Sequence, residues 1–70
     1  MELTNEEKQN IINQHIRNVN VNVYNLQITL MAEEAVESPN QETVSALNEK
    51  IQQELRKNQA LLAELESLQP

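Results

Sequence analysis

Gln9 to Ala32 reads QNIINQHIRNVNVNVYNLQITLMA, and Arg17 is its only side chain with a full charge at neutral pH. A long segment too polar for a bilayer and too uncharged for an open surface suits a helix touched by protein on more than one side. The apolar spacing agrees. Ile12, Ile16, Val19, Val23, Leu26 and Leu30 step by four, three, four, three and four, the a/d seam of a heptad repeat. A second set, Val21, Tyr24, Ile28, Met31 and Ala35, steps by three, four, three and four. At about 100° per residue, its midline lies about 140° around the helix from the first. Two stripes require two neighbours, one from the rest of the chain and one from a second copy or another protein.

A strand competes for the same letters. Val19 to Val23 alternates with asparagine, and Tyr24 to Leu30 alternates again after one slip. Valine and threonine favour strands, and asparagine is a poor helix former. The alternation breaks at Val23/Tyr24, however, while the heptad runs through. The chain also has no glycine, and so no Asn-Gly or Asp-Gly turn to bring a strand partner alongside. Helix is the stronger expectation.

Upstream, Thr4 and Glu7 have the T-x-x-E spacing of a capping box, which starts the first helix near Asn5. Downstream, the seam carries it to about Val36. Glu37-Ser38-Pro39-Asn40 is the clear break, because proline removes an amide and forces the residue before it out of helical geometry. Ser38 is therefore the expected N-cap of a second helix, paired with Gln41, with Pro39 at the first helical position. That helix is expected from Pro39 to about Leu68. Val44, Leu47, Ile51, Leu55, Leu62 and Leu65 form its stripe, with Leu61 and Leu68 at the edge, and charged residues cover its other faces. Asn58 interrupts the stripe at an a-like position, where a polar side chain can fix register at some cost in stability. Folding back places Leu30 near Val44 and Leu47, Val23 near Ile51, Val19 near Leu55, and Ile12 near Leu62.

The expected fold is thus all-α: one domain over residues 1–70, an antiparallel hairpin of helices at about 5–36 and 39–68. A two-helix hairpin has a core one contact deep, and doubling it gives that core depth. Chains of this length usually need disulfides, a metal or oligomerisation to be stable. With no cysteine and a single histidine, His15, oligomerisation is the route open to this one. A homodimeric four-helix bundle is the expected assembly, with Val21, Tyr24, Ile28, Met31 and Ala35 at the interface.

Composition narrows the function classes. Tyr24 is the only aromatic residue, and the formal net charge is −6, which argues against nucleic acid, whose phosphates demand a basic face. No apolar run approaches the roughly 20 residues of a membrane span. The N-terminus lacks the order of a signal peptide, so the expected location is cytoplasmic. His15, Asn18, Asn22, Asn25 and Thr29 make an uncharged polar stripe that suits either solvent or a partner. Glu33, Glu34, Glu37 and Glu42 crowd the turn, where a solvated acidic tip is the simpler account than a cation site. No nucleophile–base set, phosphate loop or metal-ligand spacing is present, so neither an enzyme nor a bound cofactor is expected. What remains is a small structural or protein-interaction module that self-associates through its first helix. The alternative is an acidic regulator that binds and controls a basic protein.

Overall fold

The computed structural model describes residues 2–69. Two α-helices, α1 (Asn5–Glu34) and α2 (Gln41–Ser67), fold back on one another, and the described residues contain no strand. The asparagine-rich Val19–Leu30 stretch is helical throughout. Packing of its apolar stripe overrides the weak helix propensities of asparagine and valine.

α1 starts where the capping box predicts. The Thr4 hydroxyl accepts from the Glu7 amide at 3.1 Å, and Glu7 Oε1 accepts from the Thr4 amide at 2.9 Å. The Thr4 backbone amide first, and the Thr4 side chain second, hold the Glu7 carboxyl below its ordinary pKa, because hydrogen bonds to the carboxylate favour the charged form. The helix stops at Glu34, two residues short of the expected end. The Ala35 amide is shared between the carbonyls of Met31 and Ala32, a tightened last turn that satisfies carbonyls with no intrahelical partner.

The start of α2 differs from the sequence expectation. Asn40 is the N-cap, not Ser38. Its backbone is extended, and its Oδ1 accepts from the amides of Glu42 at 3.0 Å and Thr43 at 3.2 Å. Asparagine caps at least as well as serine, and one carboxamide oxygen here serves two otherwise orphaned donors. Pro39 then precedes the cap, where its missing amide costs nothing. The connection is Ala35 to Asn40, and no described residue in it adopts a positive φ.

The core is thin. Among the described residues only Val19, Leu47 and Ile51 are buried. The half-buried positions that extend the seam on α1 are Gln9, Ile12, Ile16, Val23, Leu26, Leu30 and Glu33. On α2 they are Val44, Glu54, Asn58, Leu61, Leu65 and Leu68. Leu55 and Leu62, expected in the stripe, are 39% and 48% exposed; Glu54 and Leu61 take their places. The cause is geometric. Two successive steps of four, from Leu47 through Ile51 to Leu55, carry a stripe about 80° around the helix. Alternating threes and fours keep it facing a straight partner, so Glu54 and Asn58 turn inward and the two leucines turn out.

Candidate interaction surface

No side-chain hydrogen bond joins α1 to α2 among the described residues; each one found is local to its own helix or cap. Among the described residues, side-chain packing rather than hydrogen bonding holds one helix against the other. Two polar atoms in the seam are left short. Glu54 reaches Lys57 at 3.3 Å through Oε1, but its Oε2 is buried without a partner. The Asn58 Oδ1, in the next turn of the seam, is likewise buried and unpaired. A buried acceptor without a donor costs about 1–3 kcal/mol.

The expected interface stripe stays at the surface. Val21, Tyr24, Ile28, Met31 and Ala35 are all exposed, Tyr24 and Met31 to more than 60%. Relative to the α1 seam, Val21 and Ile28 lie within about 20° of directly opposite α2, whereas Tyr24 and Met31 lean about 60° to 80° from that direction toward one side of the hairpin.

Two open grooves say which side. One is lined by Asn22, Asn25 and Leu26 of α1 together with Lys50, Gln53 and Glu54 of α2. The other runs along α1 past Asn13, Ile16, Asn20 and Tyr24. On α2, Lys50 and Gln53 lie about 60° and 120° to one side of the seam midline, and Leu55 and Leu62 lie about 80° and 60° to the other. Leu55 and Leu62 therefore share a side with Tyr24 and Met31. The apolar surface left open by the hairpin spans both helices. Sequence reasoning confined it to the first helix, and the missed signal was the pair of consecutive four-residue steps.

The polar stripe of His15, Asn18, Asn22, Asn25 and Thr29 is exposed throughout. The Thr29 hydroxyl is already used, donating to the Asn25 carbonyl at 2.8 Å. Among the described residues no three His, Asp or Glu side chains come together as a metal would need. None of the helices is long and apolar enough to cross a membrane.

No protein-family model matches the chain, and neither curated proteins nor solved structures give a significant match.

Proposed function

We propose that this chain is a non-enzymatic helical module that self-associates, two hairpins forming a four-helix bundle that serves as a structural or protein-interaction element. One observation carries the proposal. After α1 and α2 have packed, Val21, Tyr24, Ile28 and Met31 remain exposed within Gln9 to Ala32, a stretch of α1 in which Arg17 is the only full charge. Apolar residues at such spacing on an open face mark an interaction site. Burying Tyr24 and Met31 against a second copy deepens a core that, among the described residues, holds three buried side chains.

Sedimentation equilibrium at several concentrations, with far-ultraviolet circular dichroism on the same samples, tests it. The expected result is a helical species of twice the chain mass. Tyr24→Glu and Met31→Glu each weaken that species while leaving the helical signal intact, and Lys57→Asp leaves the mass unchanged. A well-folded single copy at every concentration refutes the proposal.

A further inference from the structure

We propose that the second copy docks on the Leu55–Leu62 side of the hairpin, so that both helices, and not α1 alone, meet their counterparts across the dimer. The inference rests on the self-association proposed above and specifies its surface.

Charge sorting on α2 points to that side. Between Val44 and Leu62, Lys50 and Lys57 lie to one side of the seam midline, Glu54 turns into the seam, and Glu49 and Arg56 lie at the back. The opposite side carries Asn48, Gln52, Leu55, Gln59 and Leu62, without a charge among them. All five are exposed. On the matching side of α1, between Gln9 and Met31, Arg17 is the only charge. A face open to water on a chain of net charge −6 has no electrostatic reason to be neutral. A face that meets another copy of the same acidic chain does, because like charges set against each other across an interface are costly. A basic protein or a nucleic acid would select for acidic or basic residues here instead. Through its middle this side carries Arg17 alone among charged residues, with Glu6 and Glu66 only at its end, and a second copy offers a middle equally poor in charge.

The area agrees. The chain exposes 5632 Å², against about 4,500 Å² for a compact monomer of its mass. The surplus of about 1,100 Å² exceeds the roughly 800 Å² that each partner contributes to a standard stable interface. Packing face to face through this side buries Leu55, Leu62, Tyr24 and Met31 together. Val21 and Ile28 then sit at its outer rim.

The test uses mirror-image substitutions on α2. Asn48 and Gln59 lie about 100° and 120° to the proposed side of the seam, and Ala46 and Gln53 lie the same angles to the other. Asn48→Glu/Gln59→Glu and Ala46→Glu/Gln53→Glu therefore add equal charge at exposed α2 positions on opposite sides. Sedimentation equilibrium reads the dimer dissociation constant of each, with circular dichroism confirming that both remain helical. The expected result is a weakening of at least about tenfold for the first pair and less than about threefold for the second, since charge set against charge at an interface costs more than charge in water. Equal effects overturn the inference while leaving self-association standing. So does a dimer that Val21→Asp/Ile28→Asp dissociates and Asn48→Glu/Gln59→Glu does not, which places the second copy against the back of α1. A wild-type chain that stays single at all concentrations removes both proposals together.

Discussion

Asn58 shows how one side chain is held against its own preference. Its amide oxygen is shielded from water and finds no donor within the hairpin. Asn58→Leu fills the same volume with an apolar group and removes the unpaired acceptor, worth about 1–3 kcal/mol. In a chain this short each kilocalorie moves the melting temperature by about 4–8 °C, so a rise of at least about 5 °C is expected by thermal circular dichroism. If Asn58 selects register, the same variant also broadens the mass distribution in sedimentation. Glu7 supplies the pH dependence at this scale. Its folded pKa is lowered by the bonds to Thr4, so its contribution is fully present above the ordinary glutamate value and is lost as pH falls through the lowered one. Amide exchange at Thr4 and Glu7, corrected for intrinsic rates, is therefore expected to show less protection at about pH 3 than at about pH 6, and Glu7→Gln removes most of the difference.

Each helix carries a feature that separates what the sequence made legible from what it hid. The α1 seam could be read because Ile12 through Leu30 are all apolar and keep a single 3.5-residue period. The α2 seam could be read only at Val44, Leu47, Ile51 and Leu65, because Glu54 and Asn58 hold two of its positions, Leu55 stands one residue after Glu54, and Leu62 one residue after Leu61. An apolar-pattern search follows the leucines; a rigid partner helix follows the period. Adjacent leucines test this. Leu61→Ala is expected to cost about 1–2 kcal/mol at any protein concentration, from lost apolar burial in the seam. The effect of Leu62→Ala appears only as the protein is concentrated, where copies meet. Thermal melts across a concentration series distinguish the two. The start of α2 was misplaced for a related reason: Ser38 and Asn40 are both good caps, and only the backbone decides between them. Asn40→Ala is expected to lose about 1 kcal/mol, with Ser38→Ala near neutral, in the same melts.

The whole molecule is long and open. It measures 55 × 20 × 14 Å, with a radius of gyration of 16.3 Å against about 11 Å for a compact domain of this length. With so little interior, the folded chain gains stability from whatever covers its sides, so its melting temperature is expected to rise with concentration. A transition that does not move over a hundredfold dilution, roughly 2.7 kcal/mol of linkage, contradicts that. Meanwhile the join between the two helices has polar side chains in it but, among the described residues, no hydrogen bond across it. Without a directional bond to mark the correct notch, α1 could slide on α2 by a turn, about 5.4 Å, were it not for the short tether from Ala35 to Asn40. Alignment in this protein is kept by the tether, so a nick there is expected to release two rods that no longer know where to stop.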